Sequence, residues 1–133
     1  MTVPDFEIGL RIYWEDTDAG GVVFYANYLR FFERARTEWL RASGHSQQQL
    51  RLATGAIFIV TDTSVRYRKP ARLDDQLEVT VDLGRKTHTR LSFVQQAWRG
   101  PELLTEGTIA VACVDAATFR PRAIPVDLLK SIE

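Results

Sequence analysis

Residues 26 to 43 read Ala26-Asn-Tyr-Leu-Arg-Phe-Phe-Glu-Arg-Ala-Arg-Thr-Glu-Trp-Leu-Arg-Ala-Ser43, and the fold turns on them. Tyr28, Phe31, Phe32, Ala35, Trp39 and Ala42 recur at intervals of three and four, while Arg30, Glu33, Arg34, Thr37, Glu38 and Arg41 occupy much of the remaining surface. Residues so spaced share one face of an α-helix, so the pattern predicts a long amphipathic helix whose aromatic stripe must be buried. Asn27 is the expected N-cap and Gly44 the expected stop, and Arg34 and Glu38, four apart, can pair on the solvent side.

Upstream, Phe6, Ile8, Leu10, Ile12 and Trp14 alternate with Glu7, Gly9, Arg11 and Tyr13, the period of a half-buried strand. Glu15-Asp-Thr-Asp-Ala-Gly-Gly21 then carries three carboxylates and two glycines, which favour a turn, and a short apolar piece runs from Val22 to Tyr25. Downstream, His45 to Leu52 suggests a short helix before Gly55. Ile57 to Tyr67, Gln76 to Leu83, Leu91 to Trp98 and Leu103 to Val114 read as four strands, broken at Lys69 to Asp75, Gly84 to Thr89 and Gly100-Pro101. Arg120 to Lys130 holds two prolines and room for one helical turn. With no repeat, linker or low-complexity tract, residues 1–133 are expected to form a single α+β domain, an antiparallel sheet covering one helix. Five strands around one helix make a small core and leave a strand edge exposed, so a homo-oligomer is expected.

A hydrophobic share of 45% and a charged share of 26% are those of an ordinary globular domain. The 17 basic and 17 acidic residues cancel, so no broad field draws the chain to nucleic acid, and any anion must be held by a local patch. Cys113 is the lone cysteine, which excludes an intrachain disulfide or a multi-thiolate zinc site and fits a reducing, cytoplasmic setting. The acidic start has no apolar run of the secretory kind, and no transmembrane segment is expected.

The junction between the first strand and the helix carries the most chemical information. Asp18 precedes Gly20-Gly21 and the amino end of a helix, where unpaired N–H groups and the helix dipole favour an anion, including a transient oxyanion on an acyl carbon. A carboxylate there can act as nucleophile or as general base on water. From spacing alone the favoured reading is that Asp16 or Asp18 only hydrogen-bonds the turn or caps the helix, since turns use Asp routinely, and spacing by itself does not establish an enzyme.

The run from Arg11 to Tyr28, Arg-Ile-Tyr-Trp-Glu-Asp-Thr-Asp-Ala-Gly-Gly-Val-Val-Phe-Tyr-Ala-Asn-Tyr, closely resembles the motif of the 4-hydroxybenzoyl-CoA thioesterase family of hotdog-fold proteins. Leu29 to Leu40, Tyr67 to Asp75, Cys113 to Asp115 and Arg120 to Ile124 extend the likeness to the acyl-CoA thioesterases associated with the Tol-Pal system, over nearly the whole chain. The resemblance implies a five-stranded sheet wrapped around the long helix, dimers and usually tetramers as dimers of dimers, and active sites at the subunit boundary. It also implies acyl-CoA as substrate, hydrolysed to the free acid and CoA, no cofactor, and acyl carrier protein as a further partner. Carried over by position, the catalytic carboxylate falls on Asp18 and the oxyanion-binding amide on Tyr25, with Glu15 and Asp16 given no such role. Tyr25 stands where many members of the Tol-Pal subgroup have His. A backbone amide is indifferent to that change, but any proton handling by an imidazole is absent.

Arg85, Lys86, His88 and Arg90 cluster between two strands, and Arg120 and Arg122 lie near the C-terminal end. Guanidinium groups suit phosphate, and the resemblance implies that the coenzyme's phosphates meet Arg85, Lys86, Arg90 and Arg122; a solvated hairpin is the alternative. Cys113 sits in an apolar run and reads as a small buried hydrophobe. Asp16-x-Asp18 fails as a calcium loop because the twelfth position is Asn27, neither His45 nor His88 has metal-ligand spacing, and Gly20-Gly21 is too short for a dinucleotide loop, so no metal is expected. A hydroxyacyl dehydratase would want a His near the helix, and none is there. A non-catalytic CoA or acyl-carrier-protein partner, acting as a scaffold near the cell envelope, is the reading of a different class, and release of thiol from acyl-CoA separates the two.

Overall fold

A computed structural model describes residues 3–132. The elements follow the order β1 (Phe6–Arg11), α1 (Asn27–Ala42), α2 (Gln47–Thr54), β2 (Ala56–Tyr67), β3 (Gln76–Lys86), β4 (Arg90–Arg99), β5 (Glu102–Asp115) and α3 (Val126–Ser131). The five strands form one antiparallel sheet in the order β1-β3-β4-β5-β2, so β1 and β2 are its edges. All four downstream strands and the long helix lie where the hydrophobic period places them.

The aromatic stripe explains the arrangement. Tyr28, Phe31, Phe32, Ala35 and Trp39 of α1 are buried against β1, β3 and β4, with the Trp39 and Phe93 rings 5.1 Å apart in an edge contact. Burying a side chain of this size contributes roughly 1.5–3 kcal/mol, so the stripe alone commits α1 to the sheet. Gln95 on β4 is fully buried and satisfied: its amide nitrogen, Nε2, donates to the carbonyls of Phe32 (3.0 Å) and Thr80 (3.2 Å), and its Oε1 accepts from Arg36 (2.9 Å). The amide therefore pins helix to sheet without an orphaned polar atom of its own.

Four expectations are corrected. The first strand stops at Arg11, and Trp14 is 79% exposed in a single turn of 3-10 helix, Trp14–Asp16, because Ile12 is diverted to pair with the loop before β3. The N-cap of α1 is Ala26, and Asn27 instead donates its side-chain amide to the Asp16 carbonyl at 2.9 Å. Glu38 pairs with Arg41, one turn on, in place of Arg34. The short helix begins later than its apolar pattern, at Gln47, because the Ser46 hydroxyl caps it by accepting from the Gln49 amide.

β2 is a twelve-residue edge strand, most of it exposed, with a register irregularity between Val60 and Asp62. Ile59 and Val60 are exposed on it, the unprotected edge that the sequence leads one to expect. Cys113 on β5 is fully buried, burial pushes its thiol up from the ordinary value against a weaker opposing effect of Arg122, and its Sγ lies 3.7 Å from the Ala123 carbonyl.

Two outcomes follow from this packing. At position 107 a methyl group would stand 3.1 Å from the Ser64 carbonyl oxygen, 3.2 Å from the Phe32 ring and 3.3 Å from Val65, so Gly107→Ala is expected to cost about 1–3 kcal/mol, read as a lower urea midpoint at unchanged slope. Iodoacetamide should label Cys113 in the native protein at least about tenfold more slowly than in the urea-unfolded chain.

Candidate functional site

The loop between β1 and α1 is built residue by residue from its own polar groups. Ile12 donates to the Asp75 carbonyl and accepts from the Asp74 amide, both at 2.9 Å, which fastens the end of β1 to the loop before β3. The Asp16 carboxylate accepts from the Tyr13 amide (2.8 Å) and its carbonyl accepts from the Phe24 amide (2.9 Å) and from Asn27. Asp16 is thereby committed to holding the loop against the start of α1. Thr17 pairs with Val23, and the chain reverses through Gly20-Gly21, where Gly21 at φ +80° takes the left-handed conformation that glycine tolerates best.

Asp18 lies on this small hairpin, opposite Val22, whose carbonyl accepts from the Asp18 amide at 2.9 Å. Its Oδ1 accepts from the Gly20 amide at 2.8 Å, a bond that stabilises the turn. Its Oδ2 has no partner among the described residues, and the side chain is exposed.

Tyr25 stands at the base of the same hairpin, at the entrance of α1. Neither its N–H nor that of Ala26 meets an acceptor among the described residues, so two donors remain open where the helix dipole is positive. The position is fixed from behind: Ala71, fully buried, accepts from the Val23 amide at 2.9 Å and donates to the Tyr28 hydroxyl at 3.2 Å. A cavity of about 240 Å³ opens beside the entrance, lined by Tyr25, Tyr28, Tyr67, Arg68 and Lys69 among others. Arg68 and Lys69 are ion-paired with Glu106 (2.6 Å) and Glu102 (3.0 Å). Asp18 is not part of that lining.

The cationic residues lie elsewhere. Arg85, Lys86 and Arg90 flank the β3–β4 turn, exposed and without an ion pair among the described residues. Arg122 reaches the end of α2, donating to the Thr54 carbonyl and lying beside Asp115. The register puts Arg11, Tyr67, Gln76, Arg99 and Glu102 at one end of the sheet and Ala56, Lys86, Arg90 and Asp115 at the other. Within one chain, then, the helix entrance and the cationic turn are separated by the length of β3, roughly 33 Å. A larger cavity of about 540 Å³ lies at the cationic end, between α1, α2 and the start of β2, with Leu40, Leu50, Ala56 and Phe58 in its wall. Neither this cavity nor the role of Tyr67 in the aromatic wall is signalled by the hydrophobic period, which reports which face is buried and not what lies beyond it.

Comparison with known proteins now places the chain. The thioesterase-like superfamily matches residues 12–132. The acyl-CoA thioester hydrolase YbgC of Escherichia coli is 44% identical over 130 residues, covering 97% of this chain and 96% of that protein. The acyl-CoA thioesterase YbgC of Haemophilus influenzae is 41% identical, covering 92% of this chain and 90% of its own. Among solved structures, a probable thioesterase from Bartonella henselae superposes with a TM-score of 0.84 at 30% identity, covering 90% of this chain and 98% of that one. A five-stranded antiparallel sheet wrapped on one long helix is the hotdog arrangement, and by sequence and fold together this chain belongs to the thioesterase-like superfamily.

Proposed function

We propose that the protein hydrolyses acyl-CoA thioesters to a carboxylic acid and CoA, with cleavage at the entrance of α1. The relatives named as acyl-CoA thioester hydrolases support the reaction class. The observation that carries the placement is the pair of open amides at Tyr25 and Ala26 on the loop that also bears Asp18 with a free Oδ2. As the thioester carbon becomes tetrahedral, its oxygen gains negative charge, and N–H donors fixed in advance stabilise it without reorganising.

Asp18 has two balanced roles. As nucleophile its carboxylate adds to the carbonyl carbon, the C–S bond breaks, CoA leaves as thiolate, and water opens the mixed anhydride. As general base it takes a proton from water, hydroxide adds to the carbonyl, and the thiolate departs to be protonated. Both need the free oxygen on Asp18, and neither needs the Tyr25 side chain.

The coenzyme's phosphates are assigned to Arg85, Lys86, Arg90 and Arg122. Since these lie at the far end of the sheet from Tyr25 in the same chain, the phosphate site is assigned to a second copy. Pairing of two copies along the β2 edge, about a two-fold near its centre, sets Ala56 of one beside Tyr67 of the other, and with it the cationic turn of one beside the helix entrance of the other. The 540 Å³ cavity then borders the same junction and offers room for the acyl group. A dimer of dimers is the larger assembly that the resemblance implies, and the lone, buried cysteine suits the cytoplasm.

Two measurements test this reading. Asp18→Asn is expected to lower kcat on benzoyl-, butyryl- or palmitoyl-CoA, followed by thiol release, about a hundredfold or more while leaving the melting temperature near wild type; wild-type turnover would reject the site. Replacing Arg85 and Lys86 together by Ala is expected to raise KM severalfold with a smaller change in kcat, because both lie far from the carbonyl, and an unchanged KM would reject the phosphate assignment.

A further inference from the structure

The Tyr67 hydroxyl, at the end of β2, donates to the Tyr25 carbonyl at 3.1 Å. That carbonyl is not used by the helix, since the Leu29 amide donates to the Ala26 carbonyl, one residue later, at 3.2 Å. The Tyr25 carbonyl and the Ala26 N–H belong to one peptide unit. A hydrogen bond accepted by the carbonyl oxygen polarises the whole unit and makes its N–H a stronger donor. That N–H is one of the two open at the entrance.

We propose that Tyr67 is a positioning residue for thioester cleavage: its hydroxyl orients and polarises the Tyr25–Ala26 peptide so that the Ala26 amide joins the Tyr25 amide in stabilising the oxyanion. The inference rests on the reading of the helix entrance as the reaction site and deepens it by a second donor and by the group that holds it. The ring of Tyr67 is itself held. It meets Tyr25 edge-on at 6.0 Å between centroids and Tyr28 at 5.7 Å, and Tyr28 is anchored through its hydroxyl to Ala71. Burial, then the neighbouring Tyr25 and Tyr28, push the Tyr67 phenol above its ordinary value, so the hydroxyl keeps its proton and remains a donor across the neutral range. Ring and hydroxyl therefore do separable things. The ring walls the cavity, and the hydroxyl acts on the peptide.

The separation sets the experiment. Tyr67→Phe keeps the ring and removes the donor, and is expected to lower kcat about three- to tenfold with KM within about twofold of wild type, by the same factor from about pH 6 to about pH 9. Tyr67→Leu removes the ring as well and is expected to raise KM in addition. Thermal melts of both variants check that the fold is retained. If Tyr67→Phe turns over at the wild-type rate, or changes KM alone, the inference is overturned. Asp18→Asn assayed beside it keeps the two claims apart: loss of turnover there with a fully active Tyr67→Phe removes this inference and leaves the reaction site standing. Wild-type turnover in Asp18→Asn removes the reaction site and this inference with it.

Discussion

The seating of α1 against one face of the sheet is the constraint on which the rest depends. Its aromatic stripe is buried along most of its length, so the helix cannot slide or rotate without exposing Phe31, Phe32 or Trp39. With the axis fixed, the amino end of α1 is held at one end of the sheet, and the loop before it must close a short gap from β1. The ties through Asp16, Ala71 and Asn27 close that gap and consume the polar groups that could otherwise cap the helix. The amides of Tyr25 and Ala26 are left over. A helix that begins without a side-chain cap is locally less stable, and that cost sits where an anion can repay it.

The same antiparallel pairing that builds the sheet also separates the helix entrance from the cationic turn. A strand of eleven residues lies between the helix entrance and the cationic turn. The exposed β2 edge and this separation are two aspects of one geometry: an edge open to pairing, and two groups of residues that, on the proposed function, an antiparallel edge pairing would bring together.

Much of this was legible in the residues. The stripe from Tyr28 to Trp39 and the alternation of the strands report burial directly, because period is a geometric property of the backbone. The ends of elements were less legible. Trp14 continues the alternation of β1, yet the chain turns away two residues earlier because Asp74 and Asp75, some sixty residues distant, capture Ile12. Asn27 has the chemistry of an N-cap, but the Asp16 carbonyl takes its amide first. In the site, the short polar loop pointed to Asp18, and the resemblance to a known motif pointed to the Tyr25 amide. Tyr67 carried no signal of the role proposed for it, since a tyrosine closing a strand looks the same whether its hydroxyl meets water or a peptide. Nor did the cluster of Arg85, Lys86 and Arg90 disclose that it stands at the opposite end of the sheet, because sequence gives the turn but not the register that places it.

Subunit complementation tests the composite site most directly. Chains carrying Asp18→Asn and chains carrying Arg85→Ala with Lys86→Ala are refolded together and assayed at acyl-CoA concentrations well below KM. Each mixed dimer then holds one site with an intact aspartate and an intact cationic turn, so an equal mixture should exceed the average of the two parents by an amount approaching about a quarter of wild type. Activity that never exceeds the average of the two parents would contradict a site shared between copies.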